Sequence, residues 1–413
     1  MKPRLPFCLS LSLLLALTVP GCQPSGPSGQ GATGTGFFTI PFEDILEDAQ
    51  VVPLSEFADR VELVPLEKTD SSLLGAILSF SVTDEFIFVH HNGNGLLAQF
   101  TRDGRYVRSL GALGRGPGEY VLMRCFSVDE ERERIYIQTN WTTLLMEFTF
   151  DGEHMKSMQF PGVERMYTVW SREDRYVSYS PPYQGDEPFV FMEHNESGDT
   201  LQTTANTNFW GSDDMSYMTT MMHGQNVFYR QEETLRMKDK YQDTVYTYDG
   251  EGTIVPRLAI DMGKYRLPDD LVYERKASRP LPGDAKWLGV HETDRYVILP
   301  YGPHVDYNRG EALDDKQGVA VFDKLTGQGF TGKESERGGF ENDLTGGPDF
   351  LPLLANDTAA FGILSALDLK LFLESEDFEN QVVKNPDQKE QLQQLNRTLK
   401  EDDNPFLVIV HMK

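Results

Sequence analysis

The residues from which most recognisable active centres are built are scarce in this chain of 413 residues, which has three cysteines and eight histidines. A disulfide framework is excluded. Cys8 lies inside the N-terminal apolar run and Cys22 closes it, leaving Cys125 alone in an apolar stretch. With no base beside it in sequence, Cys125 reads as a small buried hydrophobe rather than a nucleophile. No His-x-His or His-x-x-x-His pair is present. His90 and His91 are adjacent at a strand end, where alternation sends their rings to opposite faces, so a shared metal is not expected, and neither is a cofactor. No run, the N-terminal one from Phe7 to Leu17 included, is apolar for long enough to cross a bilayer as a mature helix. Positive charge is also short: 38 lysines and arginines face 64 aspartates and glutamates, a net charge of -26. That field repels phosphate backbones and anionic headgroups, which argues against nucleic acid and against electrostatic membrane binding.

The two ends of the N-terminal segment have distinct compositions. Lys2 and Arg4 precede the apolar stretch Phe7 to Leu17, and Val19-Pro20-Gly21-Cys22 follows. This pattern matches a lipoprotein export signal over residues 1–21, with Cys22 as the acylated residue; an ordinary secretory signal is the alternative. Residues 23–36 are Gly, Ser, Pro, Thr, Gln and Ala without charge, a composition that predicts a flexible tether up to about residue 40. The expected address is the cell envelope, lipid-anchored to a bacterial membrane and periplasm-facing, with surface exposure left open.

A turn then recurs. Asp103-Gly104, Asp151-Gly152, Gly198-Asp199 and Asp249-Gly250 each follow a strand-like run, with aspartates 48, 48 and 50 residues apart. Gly tolerates the positive φ of a tight hairpin, and Asp does so less readily. Around these turns lie Phe86 to Val89, Ile135 to Ile137, Tyr176 to Tyr179 and Val227 to Tyr229, each followed by a second strand. A fifth unit ends at Thr326-Gly327 and carries a long loop from Tyr301 to Lys316; a sixth starts near Thr358. There, Asn385-Pro386 opens a helix with the stripe Leu392, Leu395 and Leu399, before the apolar strand Pro405 to Val410. Repeats of this length predict an all-β chain: a six-bladed β-propeller of four-stranded blades over residues 41–413, with a short C-terminal helical insertion before the closing strand. The ring would close by pairing that strand with residues near Val61 to Val64. Two β-sandwiches would also use short strands and turns, but would not space them evenly.

With the repeats placed, the chain resembles the six-bladed propeller lipoproteins of Bacteroides-like bacteria, which are distantly similar to NHL-repeat propellers. The residues that carry the likeness are Val64 to Glu67, the loop GALGRGPGEY at residues 111–120, Tyr241 to Tyr246, ENDLTGGPDFLP at 341–352 and Asp403 to Ile409. The resemblance implies fold and export route but no reaction. His90-His91 departs from it, since relatives often carry an aspartate there.

Candidate ligand-binding residues are Arg115, Glu119 and Tyr120 at a channel mouth, Trp141 as a stacking platform and His91. The glycine-rich loop lacks the Lys-Ser or Lys-Thr of a phosphate loop, and its plain alternative is an inter-blade crossover. Carboxylate pairs of the glycosidase kind cannot be selected from so many acids, and no nucleophile elbow is present. The function expected is a non-enzymatic binding or interaction module for a glycan, peptide or envelope protein. The alternative is a lactonase-like or glycan-cleaving hydrolase with an axial active site.

Overall fold

The computed structural model describes residues 36–139, 144–160, 168–172, 174–180, 187–206, 227–231, 234–239, 242–248, 253–268, 283–303, 305–306, 311–312, 316–335 and 337–413. Six antiparallel sheets follow one another along the chain as the blades of a propeller. We letter the strands of each blade A to D from the axis outward. Blade one is Ile77–Val82, Phe86–His91, Leu97–Thr101 and Tyr106–Leu110. Blade two is Met123–Asp129, Arg134–Thr139, Leu144–Thr149 and His154–Gln159. Blade three is Thr168–Arg172, Arg175–Tyr179, Phe189–Asn195 and Thr200–Ala205. Blade four is Phe228–Gln231, Thr234–Met237, Thr244–Tyr248 and Ile254–Asp261. Blade five has a split strand A, Lys286–Leu288 and His291–Glu292, then Tyr296–Pro303, Gly318–Asp323 and Gly329–Thr331.

Blade six is assembled from both ends of the chain. Leu354–Ala355, Ala359–Leu364 and Phe406–Met412 supply strands A to C, and Ala58–Pro65 supplies strand D. Val61 pairs with Val410 and Val64 with Leu407, antiparallel. The recurrent turn is thereby explained: each described copy joins strand C to strand D of its blade, and Asp249-Gly250 lies outside the described residues. Gly104, Gly152, Gly198 and Gly327 take φ of 88°, 83°, 86° and 71°, values open to glycine and costly for most other residues. Blade six lacks the turn because its C–D junction is the closure itself.

Burial follows from this geometry. Successive residues of a strand point to opposite faces, and both faces of a blade meet a neighbour, so the strands read as continuous apolar runs. In blade one, Ile87 and Val89 pack with Phe361, Leu407 and Ile409 of blade six. Phe88 between them packs with Ile135 and Ile137 of blade two. Four further clusters fill the remaining interfaces, from blades two and three around to blades five and six.

Three features extend or amend the sequence reading. Phe38–Pro41 adds a fifth, parallel strand to strand D of blade four. Helix α1 (Phe42–Asp48) follows, then Val51 bridges to Thr331 of blade five. The N-terminal segment thus straps blades four, five and six from outside. The C-terminal insertion holds three helices, α2 (Ala366–Leu373), α3 (Glu376–Asn380) and α4 (Pro386–Asn396). Asn385 caps α4 by accepting from the Gln388 N–H at 3.3 Å, and Leu399 packs in the same cluster from beyond the helix end. The long loop of blade five begins after Pro303, and Val305–Asp306 pairs within it with Glu311–Ala312.

Ile409 is fully buried on strand C of blade six, opposite Glu62 and Phe361. Ile409→Ala should cost about 2–5 kcal/mol, the usual range for such a truncation. Urea unfolding would then show one cooperative transition at a lower midpoint; an unchanged midpoint would mean the closure contributes little.

Candidate functional site

The inner strands leave an axial cavity of about 660 Å³. Ser79 to Thr83 of blade one, Phe126 to Val128 with Glu130 and Glu131 of blade two, Phe228 to Arg230 of blade four and Leu354 to Thr358 of blade six line it. All of these sit toward the ends of the A strands, so the cavity lies at the end of the propeller where strands A and B are joined. Its wall mixes hydroxyls, aromatic rings and charge.

Glu130, Glu131 and Asp357 of the described A–B turns, with Asp84 beside them, make the rim acidic. Glu130 accepts a hydrogen bond from the Asp84 N–H at 2.6 Å, tying the turns of blades one and two. The Asp294 N–H donates to the Asp357 carbonyl oxygen at 2.9 Å, tying those of blades five and six. Removal of water by the cavity wall holds the Glu130 carboxyl above its ordinary value, with the Asp84 N–H and the Arg230 charge pulling it back. Burial does the same to Asp129, opposed by the Arg132 N–H and by Arg230. Arg230 is the cation shared by these acids.

Tyr229 is fixed from behind. Its hydroxyl donates to Glu292 Oε1 at 2.9 Å, and Glu292, with no exposed surface, also faces Lys324 Nζ at 3.2 Å, Arg236 Nε at 3.5 Å and Arg257 Nη2 at 3.7 Å. Arg236 donates to Gln231 and Thr247, each at 2.7 Å. Three cations share this one buried carboxylate, so removing Glu292 would leave all three without their counter-charge. Burial first, and then the Glu292 charge, push the Tyr229 phenol well above its usual value, so it stays a neutral donor.

The residues singled out in the sequence lie elsewhere. Residues 111–120 connect strand D of blade one to strand A of blade two, at the end opposite the cavity. Tyr120 is buried; its hydroxyl donates to the Leu110 carbonyl at 2.7 Å and accepts from the Leu97 N–H at 3.2 Å. Glu119 accepts from the Gly116 N–H at 2.8 Å, and Arg115 is exposed. His91 is buried, with Nδ1 accepting from the N–H groups of Gly75 at 3.0 Å and Gly93 at 3.2 Å. Trp141 and Cys22 fall outside the described residues. Cys125 Sγ donates to Gln138 Oε1 at 3.0 Å. Among the described residues, no three His, Cys, Asp or Glu side chains gather as a metal would require.

The cavity escaped notice because serine and threonine in an inner strand resemble any polar turn flank. A signal was present, however. Acidic residues precede every strand B: Asp84-Glu85, Glu130-Glu131, Glu173-Asp174, Glu232-Glu233, Asp294 and Asp357. They recur once in every blade, just before strand B.

Fold and cavity together define a six-bladed β-propeller with an acidic axial mouth. The chain belongs to the DUF4934 family, a domain of unknown function, matched over residues 37–411. No curated protein matches it. Among solved structures it is similar to a candidate exported protein of Bacteroides fragilis NCTC 9343, at 18% identity and a TM-score of 0.64, covering 91% of this chain and 99% of that one. A DUF4221 family member from Bacteroides vulgatus ATCC 8482 is similar at 10% identity and TM-score 0.46, covering 86% and 97%. Virginiamycin B lyase from Staphylococcus aureus aligns at 11% identity and TM-score 0.36, covering 66% and 74%. Among the described residues no helix is long and apolar enough to cross a membrane.

Histidine chemistry here is that of burial. His90, His194 and His291 are each lowered by desolvation from 6.5 to about 4. His194 lies between Ser178 Oγ, 3.0 Å from Nε2, and the Phe160 ring. Because the folded chain binds these protons less tightly than the unfolded chain, their stabilisation is complete above about pH 6.5 and is lost as pH falls toward 4, at ~1.4 kcal/mol per unit of depression. The raised carboxyls act with opposite sign. The measurement is therefore a difference: the urea midpoint of wild type should fall more steeply than that of His194→Gln between pH 7 and 4.5. Parallel profiles would remove His194 from the account.

Proposed function

We propose that the protein is a lipid-anchored cell-envelope propeller that binds, without chemical conversion, a polar segment of a partner in its axial cavity. The favoured ligand is a peptide or protein segment carrying positive charge. The observation that supports it is the convergence of four blades on one cavity whose mouth is ringed by acids, with Arg230 as the shared cation. A basic side chain would find carboxylates at the rim, and the rings of Phe80, Phe126 and Phe228 would receive its apolar stem. Tyr229, locked by Glu292, holds strand A of blade four at the cavity wall. The export half of the reading is supported by the signal-like residues 1–21, by Cys22 and by a structural neighbour named as a candidate exported protein.

The test is a binding screen of peptide and glycan arrays with the purified chain. A cationic peptide should bind in a salt-dependent way, and Glu131→Gln combined with Asp357→Asn should weaken it about 10-fold or more without moving the unfolding temperature. Selective capture of neutral glycans would replace the ligand class, and turnover of glycoside, lactone or ester substrates would move the protein among the propeller hydrolases. Cys22→Ser should release the protein from the membrane fraction and abolish incorporation of labelled fatty acid; retention of both would refute the anchor.

A further inference from the structure

A second cavity of about 240 Å³ lies away from the axis, between blades five and six, on the face bearing the C-terminal helices. Its apolar floor is Leu63, Ile363, Leu364 and Val408 of blade six with Phe350 and Leu351 of the connecting segment. That segment, residues 341–352, follows blade five and carries the ENDLTGGPDFLP sequence noted above. At the rim, Arg337 Nη2 and Asp368 Oδ1 of helix α2 form an ion pair at 2.6 Å, so their charges cancel locally.

Two polar groups lining this space have no protein partner among the described residues. Asn342, 4% exposed, uses Oδ1 to accept from the Thr345 N–H at 3.1 Å and its backbone oxygen to accept from Gly346 and Gln381. Its Nδ2 donates to no described acceptor. Asp349, half-buried, accepts no hydrogen bond, and loss of water raises its carboxyl above the ordinary value despite the charges of Lys333 and Arg337. The site is kept open by glycine: a Cβ on Gly347 would stand 3.0 Å from Asn342 Nδ2. An unused donor and an unused acceptor beside an apolar floor are left open to a ligand, and a hydroxyl-bearing one answers both.

We propose that this inter-blade cleft is a binding subsite for a single neutral pyranose. One sugar hydroxyl donates to Asp349 while it or its neighbour accepts from Asn342 Nδ2, and the C–H face of the ring lies on Phe350 and the aliphatic floor. Size permits it, since a cavity of about 150 Å³ already takes a benzene ring. Charge favours it: with Arg337 and Asp368 paired, an anionic ligand would meet Asp349 and a cationic one would leave the amide donor unused. The subsite is independent of the axial cavity and of its ligand.

The experiment is saturation-transfer NMR on the full chain with the methyl pyranosides of glucose, galactose, mannose and N-acetylglucosamine. At least one should bind at millimolar concentration, and Asp349→Ala should weaken it about 10-fold or more, the effect of losing a hydrogen bond to a charged group. Asp349→Asn, which keeps the shape, should also weaken it, and Arg230→Ala in the axial cavity should leave it unchanged. Thermal unfolding checks that each variant is folded. Absence of binding by every pyranoside, or binding that survives both Asp349 variants, would overturn the proposal. So would loss with Arg230→Ala alone, which would assign the sugar to the axial cavity.

Discussion

Everything in this molecule depends on the pairing of Ala58–Pro65 with Phe406–Met412. A blade is apolar on both faces and cannot be stable alone. Each face is satisfied only by a neighbour, and the chain of neighbours has no natural end. An open row of six blades would leave one face of the first and one of the last exposed to water. Joining residues 349 apart, as Glu62 and His411 are, costs roughly 4 kcal/mol more in loop entropy than closing a short hairpin. The return is a complete ladder together with the burial of Val64, Ile87, Phe100, Phe361, Leu407 and Ile409 between blades six and one. The strap Phe38–Pro41 and the Val51 bridge reinforce the same closure from outside.

Much of the fold was legible because a period is a property of sequence alone. Asp103, Asp151 and Asp199 each sit at the C–D turn of a blade, and strands such as Phe86–His91 and Tyr296–Pro303 carry the apolar signature of sheets buried on both faces. The elements that escaped notice carry no such signature. Phe38–Pro41 is four residues long and follows a Gly-rich stretch, and its strand character comes from the free edge of blade four. Helix α1 has seven residues and no side-chain cap. Helices α2 and α3 are short as well, and their starts are set by Ser365 and Ser375, each accepting from an N–H three residues on. Such helices persist through packing of Leu369, Leu373 and Phe378 rather than through intrinsic propensity.

The site was harder to read for a related reason. Conspicuous residues, such as those of the GRGPGEY loop, do conspicuous backbone work: Tyr120 clasps the edges of two strands and Glu119 folds its own loop. The axial wall is made of ordinary residues brought together by symmetry. Ser79, Ser127, Tyr229 and Thr358 are unrelated in sequence and meet only because each occupies an inner strand or its turn. A repeat argument finds such positions when it asks what each copy carries near the axis, and here the answer at the A–B turn is an acid in every blade.

That acidic ring also constrains how the molecule can stand on a membrane under the proposed lipid anchor. Phe38–Pro41 runs parallel to strand D of blade four, which descends from the C–D turn, so the chain before Phe38 leaves toward the end that holds the A–B turns and the cavity. An anchor reached from that end would share the side of the acidic mouth. Repulsion between like charges fades over a screening length of about 8 Å at physiological salt. An anionic bilayer repels a ring of carboxylates inside one such length and is hardly felt beyond two. Under that proposed anchor, the charge that would keep an anionic bilayer away from the mouth is the same charge that would draw a basic segment to it.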